Sequence, residues 1–280
     1  MRKKFILTLY LSFMLIPLLG GLIYCLLYSM GGIGLLSKGF TLKVWFSVLS
    51  SELVMKSFLS SILVATISLS LSVILALFIV LKFDWLINSR LANLLLQIPL
   101  SFPPMIAAFL MFQFLYKGGI LSRLSFQTGL TNEWRQFPEL VNDVNNIGVI
   151  LTMIILATPF FVVFYLQKIK SLGIRNFVVL AQSLGASYLQ TNSKIVIPIL
   201  LKESWLNIAL YWLILFGNFE IPLILGIQNP SAISVLISQK LTKYDLNELP
   251  QAYAISMLYI LIVITVFLIF IFKRLKTRAA

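Results

Sequence analysis

The sequence contains no histidine and a single cysteine. Without an imidazole it has no His-ligated metal site and neither a Ser-His-Asp nor a Cys-His constellation for nucleophilic catalysis. Cys25 sits alone in an apolar run, so it cannot close an intrachain disulfide and reads as a small buried hydrophobe. Charge is scarce as well: charged residues are 11% of the 280, and only 9 residues are acidic. No GxxxxGK[ST] loop is present to cradle nucleotide phosphates, so the chain is not expected to hydrolyse ATP. No long internal repeat, inverted half-repeat or low-complexity segment is evident.

What the chain has instead is apolar length. Hydrophobic residues make up 60% of it and the mean hydropathy is +0.99, against roughly 45–50% apolar residues in soluble domains. The 22 Lys and Arg therefore suit a membrane surface better than a nucleic acid. A hydrocarbon core about 30 Å thick needs roughly 20 apolar helical residues. Six stretches meet that length: about 5–29, 57–81, 91–116, 147–167, 204–226 and 251–272. The first follows Arg2, Lys3 and Lys4, but its run is too long for a signal-peptide core and lacks a clear cleavage site, so it is expected to be a retained helix. The N-terminus, the 82–90 loop, the 168–203 segment and the C-terminal tail carry 14 basic and 2 acidic residues, the latter Asp84 and Glu203. The other three loops carry 8 basic and 6 acidic residues. This bias predicts cytoplasmic termini and a cytoplasmic 168–203 segment.

Prolines punctuate the spans. Pro99, Pro103 and Pro104 lie in IPLSFPPMIAA and Pro159 in ATPFFVV, where each removes a backbone donor and bends a helix. Such breaks imply a packed bundle that satisfies the freed carbonyls, with or without a role in gating. Residues 37–56 have apolar spacing that suits a helix along the outer interface, and 117–146, with Trp134 and several acids, reads as an external cap. The expected division is 1–56 (first span and external loop), 57–272 (a core of five spans) and 273–280 (a basic tail).

The stretch SLGASYLQTNSKIVIP, residues 183–198, breaks the apolar pattern. A short helix is predicted to start at Arg175 or Asn176 and to end at Gly185, where glycine enters the left-handed conformation without strain. Ser187 is the expected N-cap of a second helix, YLQTNSKIVI, which Pro198 limits before the fifth span. The product is either an elbow at Gly185-Ala186-Ser187 shaped to enter a partner, or an amphipathic connector on the membrane surface.

The spacing Gly185, nine residues, Ile195, one residue, Ile197-Pro198 resembles the cytoplasmic signature of binding-protein-dependent ABC importer permeases. That signature is usually written EAA, three residues, G, nine residues, I, one residue, LP. Of its first triplet only Ala181 is matched; Val179 and Leu180 replace the acid and the first alanine, and Ile197 replaces the leucine. IPLSFPPMIAAF, ATPFFVVFYLQKI and FGNFEIPLILG also look like family segments, so the resemblance covers roughly residues 37–272. It implies an all-α, six-span type I importer permease of a bacterial cytoplasmic membrane. It further implies that segment 176–198 is a coupling helix, with Ala181, Gly185, Ala186, Ser187, Ile195 and Pro198 contacting a separate ATPase. The implied partners are an ATPase dimer holding ATP and Mg, a second identical or homologous permease, and an external binding protein. The chain itself carries no catalytic residue, metal or cofactor.

Glu220, in FGNFEIPLILG, is the one acid these boundaries place within the bilayer. A mid-helix carboxylate costs on the order of 2.5–3.5 kcal/mol to insert, so it is expected to face protein or water. It either lines a cation path with Asn218 and Gln228 or fixes helix packing. Together with a resemblance closest to the polyamine branch, it suggests a small cation, with iron or thiamine as alternatives. The competing class is a secondary transporter or channel without an ATPase. A membrane enzyme is disfavoured because no paired carboxylates fall at one membrane depth.

Overall fold

A computed structural model describes residues 2–34, 37, 39–83, 89–133 and 136–279. Asp84, counted on the cytoplasmic side, and Trp134, expected in the external cap, lie outside the described residues. Every regular element among the described residues is helical. The N-terminal part holds α1 (Arg2–Ser29), α2 (Lys43–Leu49) and α3 (Glu52–Lys82). It is followed by α4 (Arg90–Gln97), α5 (Pro104–Leu115), α6 (Ile120–Gln127), α7 (Ile147–Ser171) and α8 (Ile174–Ser183). The remainder is α9 (Tyr188–Thr191), α10 (Ile197–Phe216), α11 (Glu220–Leu225), α12 (Ile233–Thr242) and α13 (Glu248–Ala279).

Among the described residues, six segments are long and apolar enough to cross a bilayer: Leu9–Ser29, Glu52–Lys82, Pro104–Gln127, Ile147–Ser171, Tyr188–Phe216 and Glu248–Ile269. The expected number is met, but two positions shift. The expected 91–116 span is broken: α4 ends at Gln97, a single 3-10 turn covers Pro99–Ser101, and Pro103 (φ −56, ψ 141) is extended. Pro104 then starts α5, because a residue before proline is driven out of the helical region and proline fits the first helical turn. The crossing therefore begins at Pro104, and its stretch to Gln127 includes a tight turn at 116–119. The helix holding the fifth expected span also begins earlier than 204, at Tyr188, and ends at Phe216 instead of 226. Pro159, by contrast, lies buried in an unbroken α7.

The chain forms two compact units: residues 1–58 with 233–280, and residues 59–232. The last helix thus groups with the first. Within the first unit α13 packs against α1, α2 and α12. Lys240 of α12 is buried and bonded to Glu248 and to Gln251 (2.8 Å) at the start of α13, so its charge is paired.

The second unit is built around α7. Its Phe160 and buried Phe161 meet Tyr211 of α10 at ring distances of 4.9 Å and 5.4 Å. Tyr165 shares a hydrogen bond with Ser204 at 3.2 Å. Trp212 donates from Nε1 to Thr66 Oγ1 (3.0 Å), tying α10 to α3 as well. Along α3 one buried stripe is uniformly small, with Ser61, Ala65, Ser68, Ser72 and Ala76 at helical spacing, the arrangement that lets membrane helices approach closely.

Candidate coupling elbow and cleft

The elbow is made by backbone chemistry. Gly173, left-handed at φ +60, opens α8, and Ile174 behind it is buried, so the helix starts one residue before the earliest predicted position. At its other end the Gly185 amide donates to the Gln182 carbonyl (3.0 Å) and the Ala186 amide to the Ala181 carbonyl (3.0 Å). These nested bonds are a Schellman closure, and they need a left-handed residue at Gly185, whose φ is +88. Ser187 then caps α9. Its hydroxyl accepts from the Gln190 amide (3.3 Å) while the Gln190 side chain accepts from the Ser187 amide (3.0 Å), a complete capping box. Gly185-Ala186-Ser187 is an elbow, as expected from the sequence.

The second arm differs from expectation. Pro198 does not limit it: α9 passes through a π-turn at Asn192–Val196 directly into α10. Proline lacks an amide and crowds the carbonyl one turn back, and a π-turn is one way a helix accommodates such a defect without breaking. The elbow is thus continuous with the fifth crossing through Phe216. Ile195 is half-buried on this arm and Pro198 is exposed. One side chain joins the elbow to a neighbour, the Tyr188 hydroxyl donating to the Leu81 carbonyl in the last turn of α3, and nearby α7 and α10 are tied by Lys168 and Glu203 at 3.0 Å.

The outer surface of the elbow is apolar. Leu184 is 82% exposed, Leu189 77% and Val179 66%, with Phe177 and Leu180 also exposed. Arg175 and Lys194 are exposed beside them, and no acid occurs between Asp143 and Glu203. Ala181 and Ala186 are half-buried under the turn.

A second break lies at the far end of α10. The helix ends at Phe216, and the Asn218 side chain accepts from the Ile221 amide (3.0 Å), capping the separate helix α11. Glu220 is therefore not in mid-helix. It occupies the first turn of α11, half-buried, where the free amides and helix dipole favour a carboxylate. A small cleft opens beside this break, lined by Ser60, Ser61, Asn146, Leu215, Asn218 and Pro222 among others. Asn146 Nδ2 donates to Ser60 Oγ (3.4 Å), joining the start of α7 to α3. Of the three expected path residues only Asn218 lines the cleft; Glu220 does not, and Gln228 is exposed on the loop after α11.

Sequence reading missed Ser60, Asn146 and Asp143. Both Asp143 carboxylate oxygens accept from the Ile147 amide (2.9 and 3.0 Å), so an acid counted as part of an external loop is the cap of α7. The signal was present in DVNNIG: an Asp and two Asn directly before an apolar run.

No protein-family model matches the chain, and no curated protein matches it by sequence. Solved structures do match over the full length. One is a bacterial ABC transporter involved in the import of the acidic polysaccharide alginate, with TM-score 0.66 and 19% identity, covering 99% of this chain and 96% of that one. This chain has the fold of an ABC importer's membrane chain. A second structure, a bacterial alginate ABC transporter in complex with alginate pentasaccharide-bound periplasmic protein, agrees at TM-score 0.68 and 18% identity, covering 96% of this chain and 93% of that one. The all-α, six-crossing class expected from the sequence is thus the observed one.

Proposed function

We propose that the chain is the membrane-spanning permease subunit of a bacterial ABC importer, non-catalytic in itself, inserted in the cytoplasmic membrane with its elbow on the cytoplasmic side. Its partners are a dimer of a separate ATPase, a second permease and an external substrate-binding protein. The observation that carries this reading is the elbow: a rigidly capped turn whose apolar side chains stand in the open, on a chain whose full length shares an importer fold. An exposed knob bearing Leu184 and Leu189 marks a protein or membrane contact, and the importer-like fold of the whole chain favours a socket in a partner protein. ATP-driven closure of two ATPases would move the elbow, and the unbroken helix from Tyr188 to Phe216 would carry that movement to the cleft at its far end. The test is Gly185→Asp, assayed for membrane insertion, uptake and ATPase stimulation in the assembled transporter. Normal insertion with uptake lost is expected; normal uptake would overturn the assignment.

For the cargo we propose a small organic cation of the polyamine class, supported by Glu220 lying two residues from the cleft residue Asn218. An acidic saccharide is the second reading, favoured by the alginate transporters of like fold and by a cleft lining without formal charge. Calorimetric titration of the external binding protein with putrescine, spermidine and alginate oligosaccharides separates them. Heat with oligosaccharides alone would replace the cation and leave the permease reading intact.

A further inference from the structure

Helix α2 carries three distinct stripes. Thr41, Val44, Trp45 and Val48 are buried or half-buried, and α2 packs on α13. Leu42, Phe46 and Leu49 follow each other at intervals of four and three residues and are all exposed, Phe46 to 71%. Lys43, Ser47 and Ser50, at four and three residues, are also exposed and polar. A helix in water needs no apolar exposed stripe, and one in hydrocarbon tolerates no lysine stripe. A helix lying in the plane of a bilayer surface needs one stripe for protein, one for acyl chains and one for water.

The position of α2 fits that reading. The first apolar helix ends at Ser29, so Ser29 lies at one edge of the hydrocarbon core. Trp45 Nε1 donates to Ser29 Oγ at 3.1 Å, which fixes α2 at that edge. Tyr24, Tyr28 and Tyr253 cluster just inside it, with ring distances of 4.5 to 5.9 Å. Tryptophan and tyrosine concentrate at this level because their rings are apolar and their N–H and O–H groups seek water.

We infer that α2 is an interfacial anchor, lying on the outer leaflet with Leu42, Phe46 and Leu49 among the acyl chains and Lys43 among the headgroups. The inference rests on the crossings and not on the transport reading. It is tested with the full chain in phosphatidylcholine–phosphatidylglycerol vesicles. Single spin labels are placed through Leu42→Cys, Lys43→Cys, Phe46→Cys, Ser47→Cys and Leu49→Cys in a Cys25→Ala background, and collisions with oxygen and with a water-soluble nickel chelate are measured. Oxygen should exceed nickel several-fold at positions 42, 46 and 49, with the order reversed at 43 and 47. Nickel access at all five positions would place α2 in water, and exclusion of both reagents at 42, 46 and 49 would mean a protein covers that stripe. Either result overturns the inference.

Discussion

The two ends of the fifth crossing make opposite use of the same device. At each, one helix stops and another starts within three or four residues, with a polar side chain capping the new helix: Ser187 at one end, Asn218 at the other. At the elbow the break turns outward, leaving Leu184 and Leu189 exposed. At the other end it turns inward: Ile221, Pro222 and Leu225 of α11 are buried, α11 packs on α5 and α7, and the Leu225 carbonyl accepts from the Asn142 amide (2.8 Å). A break whose apolar residues are buried serves the chain's own stability. A break whose apolar residues are exposed serves something outside it.

That contrast can be attacked from both ends. The largest effect is expected from Gly185→Asp. An ideal Cβ at Gly185 meets nothing within 4 Å, so the fold bears only the cost of a left-handed non-glycine residue, about 1–2 kcal/mol, while a charge enters the apolar knob. Uptake should be nearly abolished with insertion retained. Asn218→Ala should do the reverse: removing the cap of α11 should cost about 1 kcal/mol of stability, read as a lowered thermal midpoint in detergent, with a smaller loss of uptake. If this variant uncoupled ATPase stimulation without loss of stability, the two breaks would not differ as described. The smallest change is expected from Glu220→Gln, which removes a favourable first-turn charge worth roughly 0.3–1 kcal/mol. A raised half-saturation for a cationic cargo would put Glu220 in the path. Unchanged kinetics with slightly lowered stability would make it a helix-dipole residue only.

The elbow was legible because every part of it is local. Gly185, Ser187 and the residues between them are read directly from turn and cap chemistry, and their hydrogen bonds span no more than five residues. The cleft was not legible. Ser60 lies in α3, Asn146 just before α7 and Asn218 between α10 and α11, and nothing in a single sequence reports that Asn146 reaches Ser60 across 86 positions. Glu220 was misplaced for a related reason. FGNFEIPLILG is apolar enough to extend a span, and hydropathy does not register that the Asn218 side chain can take over a backbone amide and start a new helix. The proline clusters show the same limit: Pro103-Pro104 set a boundary, Pro159 did not, and Pro198 was absorbed by a π-turn.

Sequence by itself determined that this chain is an all-helical bundle of six bilayer-length segments, because hydrophobic length and backbone self-satisfaction in lipid leave few other solutions. It also determined the elbow, since capping depends on neighbours along the chain. Tertiary structure alone decided where the third and fifth crossings begin and end, which polar groups meet in the cleft, and that Glu220 starts a helix instead of standing in the middle of one. Those outcomes depend on which helix stands beside which, and on whether a packed neighbour or a nearby side chain satisfies a freed backbone group.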